Sequence, residues 1–350
     1  GSKDRAAVRD HVFDLLRRRR SAAHRGGGAT GRALMIGLLR DLGEDPASLF
    51  TGEGHAPAPL SAAEASEPAP PEARGLRWNL PDWLLPEFEN SLGEGAEAAA
   101  LALQARAPVF LRVHLGKGSR AAARERLAAE GIETLENDLS ESALTVTEGA
   151  RRIRNSQAFA EGCVERQDAA SQAVTDLLPP VARALDYCAG GGGKALAMAA
   201  RGATVLAHDA DPGRMVDLPA RAARAGTPIA TLTTAELPRA APFELVLCDA
   251  PCSGSGAWRR APEGKWRLTP EGLAALCDTQ DAILDQAARL VAPGGTLAYA
   301  TCSLLRCENE DRVAAFLARQ EGWEATLTRR FDVSEAGDGF FTAQLKRATD

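Results

Sequence analysis

Ala184-Leu185-Asp186-Tyr187-Cys188-Ala189-Gly190-Gly191-Gly192-Gly193-Lys194 is the stretch that decides the architecture of this chain. An apolar run enters a glycine series, and helix-forming residues follow at 195–201. That order predicts a buried strand, a turn of bare backbone, and a helix whose N-terminus faces the turn. Glycines let backbone approach a ligand closely, and a helix N-terminus favours carboxylate or phosphate. A second apolar run, 204–207, ends at His208-Asp209. An acid roughly 20 residues past such a turn can bind ribose hydroxyls. The candidate cofactor site is therefore Cys188, Ala189, Gly190, Gly191, Gly192, Gly193 and Lys194, with Asp209, Arg214 and Asp249. NAD fits the loop and the acid as well as any nucleoside ligand does, although the glycines are not spaced as GxGxxG.

Working outward, further strands are predicted near 229–232, at 243–248 and at 295–300, with a helix over 271–291. Strands alternating with helices predict an α/β fold, Rossmann-like, with a mostly parallel sheet. The segments 323–327 and 340–345 predict a closing hairpin that adds a terminal antiparallel strand. Upstream, 3–50 reads as helices and 52–75, rich in Ala, Pro, Glu and Ser, as an extended or disordered linker. Residues 76–168 read as a small α+β module. The expected division is 1–51, 52–75, 76–168 and 169–350.

Two predicted strands end in cysteine-bearing motifs, Asp249-Ala250-Pro251-Cys252-Ser253-Gly254-Ser255-Gly256 and Tyr299-Ala300-Thr301-Cys302-Ser303. Ligands of open parallel sheets bind beyond the carboxyl ends of strands, so two thiols can meet there over one substrate. Such a set suits a pyrimidine. C5 of cytosine is a poor nucleophile until a thiolate adds at C6 and makes it enamine-like. The reaction needs a thiolate, an acid near N3 or the exocyclic amine, and a group that aids release. Asp249, Cys252 and Cys302 can fill these roles, and spacing alone leaves open which thiol attacks. Cys163, Cys188, Cys248, Cys277 and Cys307 read as small apolar side chains.

Composition sets outer bounds. The 350 residues are 45% hydrophobic and 25% charged, and no apolar run is long enough to span a bilayer. No signal peptide is read, and Gly1-Ser2 is set aside as a cloning scar. The seven cysteines include no CxxC pair and the five histidines show no ligand spacing. Reduced thiols, no metal site, a cytoplasmic location and a monomer are expected. A net charge of −6 sits awkwardly with nucleic acid, but charge distribution matters more than its sum. Basic residues cluster at Arg17-Arg18-Arg19-Arg20, Arg151-Arg152-Ile153-Arg154 and Arg259-Arg260.

Taken together, the motifs resemble the RsmB/Sun (NOP/NSUN) family of S-adenosylmethionine-dependent RNA cytosine-C5 methyltransferases. The resemblance runs from about residue 76 to the C-terminus. Its carriers are Gln167-Asp168-Ala169-Ala170-Ser171-Gln172, the loop from Cys188 to Lys194, both cysteine motifs, Arg259-Arg260-Ala261-Pro262, Lys265-Trp266 and Asp338-Gly339-Phe340-Phe341. It implies a class I methyltransferase domain, S-adenosylmethionine as cofactor, attack by Cys302 and release aided by Cys252. It also implies an RNA substrate, small-subunit ribosomal RNA first, with 76–168 as a recognition unit and Arg112, Arg259, Arg260 and Lys265 as RNA contacts. The N-terminal helices resemble the end of a NusB-like domain. Rival readings are a transfer RNA methyltransferase and a non-catalytic RNA-binding assembly factor. Three departures from the family pattern stand out. Gly190-Gly191 replace Ala-Pro, which predicts a looser loop. Thr233-Thr234-Ala235-Glu236 lacks the adenine-site aspartate and offers Glu236 as the candidate substitute. Arg112-Val113-His114 replaces Arg-Val-Asn.

Overall fold

In the computed structural model, residues 2–349 are described; Gly1, half of the pair set aside as a scar, and Asp350 lie outside them. Two units result, Gly1–Arg106 with Trp258–Leu268, and Ala107–Ala257 with Thr269–Asp350. The first unit is helical and opens with α1 (Ser2–Arg17), α2 (Arg19–Arg25) and α3 (Gly31–Asp41). Helices α2 and α3 touch through backbone, because a Cβ at Gly37 would lie 1.8 Å from the Ala22 carbonyl oxygen. Ile36, Leu39 and Phe50 form a small core that Leu60 packs against.

The segment expected as a free linker is tied down instead. Ser61 and Glu64 form a capping box on the short helix Ala62–Ala65. Glu64 also accepts from Arg32 at 2.7 Å. These local bonds give an Ala/Pro-rich stretch a fixed course without an apolar core of its own. The helices at 74–102 belong to this same unit, anchored by Asn79, whose side chain accepts from the Arg20 and Ser21 amides and donates to Gln104.

A helix leaves its last carbonyls without intrahelical partners. In α1 two of these are taken by the segment Trp258–Leu268. Trp266 Nε1 donates to the Leu16 carbonyl at 2.7 Å and Lys265 Nζ to the Arg17 carbonyl at 2.9 Å. Arg17 Nε returns a bond to the Arg259 carbonyl at 2.7 Å.

The second unit holds two sheets. Strands β1 (Val109–Val113), β2 (Thr134–Glu136), β3 (Ala143–Val146) and β4 (Val164–Arg166) pair antiparallel in the order β2-β3-β1-β4. The larger sheet comprises β5 (Arg183–Asp186), β6 (Thr204–His208), β7 (Ala230–Leu232), β8 (Phe243–Asp249), β9 (Val291–Thr301), β10 (Trp323–Phe331) and β11 (Phe340–Arg347). Its order is β10-β11-β9-β8-β5-β6-β7. Strands β5 to β9 pair in parallel, and β10 and β11 add the antiparallel hairpin. This is the expected α/β fold.

Side chains alternate faces along a strand. Leu245 and Leu247 enter one core with Ala195, Met198 and Ala298. Val246 and Cys248 enter the other with Tyr299, Phe316 and Phe341. Both faces of the central strands are therefore covered, which explains why β8 reads as a continuous apolar run. Register places Asp249 beside Ala300, so the two cysteine motifs leave the sheet side by side.

Candidate active site

The glycine loop joins β5 to the helix Gly193–Ala200. Gly190 and Gly192 have φ of +49° and +78°. A Cβ on Gly192 would fall 2.1 Å from Leu218 Cδ1, so only glycine fits. The expected looseness is not what the structure shows. Asp209 accepts from the Gly190 amide at 2.9 Å, Arg221 donates to the Gly191 carbonyl, and Arg112 donates to the Gly193 carbonyl at 2.6 Å. Three side chains distant in sequence thus supply the stiffness that proline would have given.

A cavity of about 230 Å³ opens over this loop. Cys188, Ala189, Gly190, Gly191, Gly193, Lys194, Arg214 and Asp249 line it, as do Gln167, Ser171 and Arg221. Gly192 and Asp209 are not on its wall. Asp209 is buried and holds the Gly190 amide, the Asp211 amide at 3.0 Å and the Arg214 guanidinium at 3.2 Å. Glu236, the candidate substitute at the adenine site, is exposed and caps its own turn through Thr233. Those two bonds hold its carboxyl below the usual range.

Lys194 Nζ donates to Asp249 Oδ2 at 2.7 Å and lies 5.0 Å from the Phe340 ring centre. The ammonium is thereby committed to the carboxylate rather than to a thiol. Asp186, at the end of β5, is 1% exposed. Burial first, then the nearby Asp249 charge, pushes its pKa up to about 7. Burial likewise pushes the Cys188 and Cys248 thiols up, so neither is a nucleophile at neutral pH.

Cys252 and Cys302 meet as the strand ends predict, Sγ to Sγ 3.5 Å apart. The Cys252 thiol is pushed well above its ordinary value, first by its hydrogen bond to Cys302, then by burial and by the Cys302 and Glu308 charges. The two sulfurs lie within hydrogen-bond distance, and either thiol can be the donor.

The residues marked as RNA contacts fare differently. Arg112, Arg259 and Lys265 are 7%, 2% and 1% exposed. Arg112 holds Gln167 and the glycine loop, and burial pushes its guanidinium down to about 10. Lys265 closes the end of α1, and Arg259 is buried in that same segment. Their charges serve the fold and do not face solvent, so phosphate contact by these three is not what their burial supports. Arg260 is half-buried. The sequence reading also missed Arg221, Ser171 and Glu308. Arg221 lies in a helix of ordinary composition, and nothing local marks it. Gln167 and Ser171 stood inside a quoted motif, where the helix cap at Asp168 was the available signal.

Comparison with known proteins gives the family. The family profile "16S rRNA methyltransferase RsmB/F" matches residues 177–346, and an RsmF/B-like ferredoxin-like domain profile matches 80–151. Ribosomal RNA small subunit methyltransferase B from two strains of Xylella fastidiosa is 37% and 36% identical over 291 residues. The match covers 76% of this chain and 66% and 68% of those proteins, so the chain spans about two thirds of their length. The crystal structure of PH0851 superposes with a TM-score of 0.72 at 26% identity, over 81% of this chain and 71% of that one. The chain belongs to the RsmB/F family of methyltransferases.

Proposed function

We propose that this protein transfers a methyl group from S-adenosylmethionine to C5 of a cytosine in small-subunit ribosomal RNA, through a covalent bond between Cys302 and C6. The observation that carries this reading is the pair of sulfurs 3.5 Å apart beside an aspartate fixed by a buried lysine.

The residues fit the cofactor. Bare glycine backbone lines the cavity, and a Cβ at Gly191 would crowd Arg221 at 2.8 Å. Asp249, Arg214 and Arg221 offer charges of both signs, as an amino-acid moiety and a sulfonium require. Bound there, S-adenosylmethionine supplies an electrophilic methyl group. Asp209 is assigned to the ribose, with exposed Arg214 as the group that yields its place. Gly190 to Lys194 would hold the remainder.

The chain's own groups act on the base. The Cys302 thiolate adds to C6, and the electron pair moves toward C5. Asp249, held by Lys194, steadies charge at N3 or the exocyclic amine. After C5 accepts the methyl group, loss of the C5 proton lets the C6–sulfur bond break and restores the aromatic ring. Cys252 is assigned to that release: as a thiolate it takes the C5 proton, and the Cys302 sulfur leaves with the C6–sulfur electron pair. The base must be unstacked to reach either sulfur, which favours a loop or an RNA region not yet assembled.

Bisulfite sequencing of ribosomal RNA from a deletion strain tests the reading. One protected cytosine should vanish, return with the wild-type gene and stay absent with Cys302→Ala. An unchanged set of protected cytosines contradicts it.

A further inference from the structure

Glu308 is fully buried in the short 3-10 turn after the Cys302 motif, and its carboxylate accepts from both cysteine loops. Its Oε1 accepts from the Ser253 amide at 2.8 Å and from Gln280 Nε2 at 3.0 Å. Its Oε2 accepts from both the Ser253 and the Ser303 hydroxyls. Ser253 follows Cys252 and Ser303 follows Cys302. Gln280 also holds the Cys252 loop, at the Pro251 carbonyl, 2.9 Å away. The Glu308 backbone is fixed in turn, because Tyr299 donates its hydroxyl to the Glu308 carbonyl at 2.6 Å. Asn309 adds a bond to the Ser303 carbonyl at 2.9 Å.

A buried carboxylate is costly unless its acceptor sites are filled. Here they are filled by donors from two separate loops. The cost of burial is thus offset only while both loops stay in place, which makes the carboxylate a clamp between them. The loops also meet directly, Ser255 with Ser303 at 3.0 Å and the Gly256 amide on the Cys302 carbonyl at 2.9 Å, but Ser253, next to Cys252, meets Ser303 only at 3.3 Å without the carboxylate.

We propose that Glu308 is a positioning residue for the reaction: one carboxylate fastens the Cys252 loop to the Cys302 loop and fixes the gap between the sulfurs. It touches neither thiol and acts through Ser253 and Ser303. The inference rests on the cytosine-C5 reading for its purpose, not for its geometry. The nearby Glu308 charge also contributes to pushing the Cys252 thiol up.

The test uses the full chain with Glu308→Ala and Glu308→Gln. The second variant keeps one acceptor oxygen and loses the other, so it decides the matter where the alanine variant does not fold. Thermal melts establish folding. The first readout is diamide oxidation of Cys252 and Cys302, in which two thiols give up two hydrogens to the diazene and join as a disulfide, mapped by peptide mass spectrometry. Disulfide geometry is demanding, so a released clamp should slow the reaction roughly tenfold or more. The second readout is methylation of ribosomal RNA. Misplacing a nucleophile by about 1 Å costs roughly 100-fold, so kcat should fall by about that factor in Glu308→Ala and by less in Glu308→Gln. KM for the cofactor should not change, because the glycine loop is held by other residues. Folded variants that oxidise at the wild-type rate, or that keep the wild-type kcat, overturn the proposal. A wild-type enzyme that makes no 5-methylcytosine would sink the functional reading instead, and the oxidation rate would then decide the clamp alone.

Discussion

Lys194 and Lys265 are both nearly inaccessible, at 5% and 1% exposure, and both stand in motifs that point to function. Lys194 ends a glycine loop and meets Asp249. Lys265 follows the Arg259-Arg260 pair and meets a backbone carbonyl at the end of a helix. Burial, and then the charges of Arg17 and Arg18, pushes Lys265 down to about 7. One cation is held by an anion at the C-terminal end of β8, a central strand of the large sheet, beside the cysteine motifs. The other is sacrificed to satisfying α1. A lysine inside a family motif is thus not evidence of ligand contact; its partner decides.

The contrast can be broken by substitution. Lys194→Met removes the ion pair that holds Asp249 and should cut methylation roughly 100-fold, within the range of a lost acid–base group. Lys265→Met should leave kcat near the wild-type value, both read by methyl incorporation at saturating cofactor. Equal losses in the two variants would erase the distinction.

Stability against pH sharpens it. Lys265 has a folded pKa near 7 and an ordinary value of 10.5. Between those values the unfolded chain binds more protons, so this residue makes stability rise with pH across that window. At one pKa unit per ~1.4 kcal/mol, the contribution is a few kcal/mol. Urea titrations at pH 7 and pH 10 should show a smaller rise in Lys265→Met than in wild type. An identical rise in both would mean that Lys265 is already charged in the fold.

The smallest effect concerns RNA. Arg260→Ala should lower the slope of log affinity against log salt by about one, as the loss of a phosphate contact does. Arg259→Ala should destabilise the helical unit and leave the slope unchanged, because Arg259 is buried. A reversal between these neighbours would restore Arg259 as an RNA contact.

Much of this molecule was legible in its sequence for reasons that are local. The strand–glycine–helix order around Asp186 to Lys194 and the apolar run of β8 follow from short-range chemistry, as does the pair of cysteines at adjacent strand ends. What was hidden is long-range. The grip of Asp209, Arg221 and Arg112 on the glycine loop joins residues up to 81 positions apart, and nothing around Arg221 announces it. The roles of Arg17 and Lys265 lie 248 residues apart in the chain. The Ala/Pro-rich segment read as a linker because it has few apolar residues. Its order comes from Ser61, Glu64 and Arg32, whose polar bonds a composition reading cannot weigh.

The central claim, a covalent reaction with separate roles for two touching thiols, is tested most directly on a denaturing gel. Each variant is incubated with cofactor and substrate RNA, and protein–RNA adduct and methyl incorporation are read together. Cys302→Ala should form no adduct and no product, because nothing attacks C6. Cys252→Ala should attack and transfer, then accumulate RNA bound through Cys302. Adduct in Cys302→Ala but not in Cys252→Ala would reverse the roles, and full activity in both would contradict the covalent mechanism.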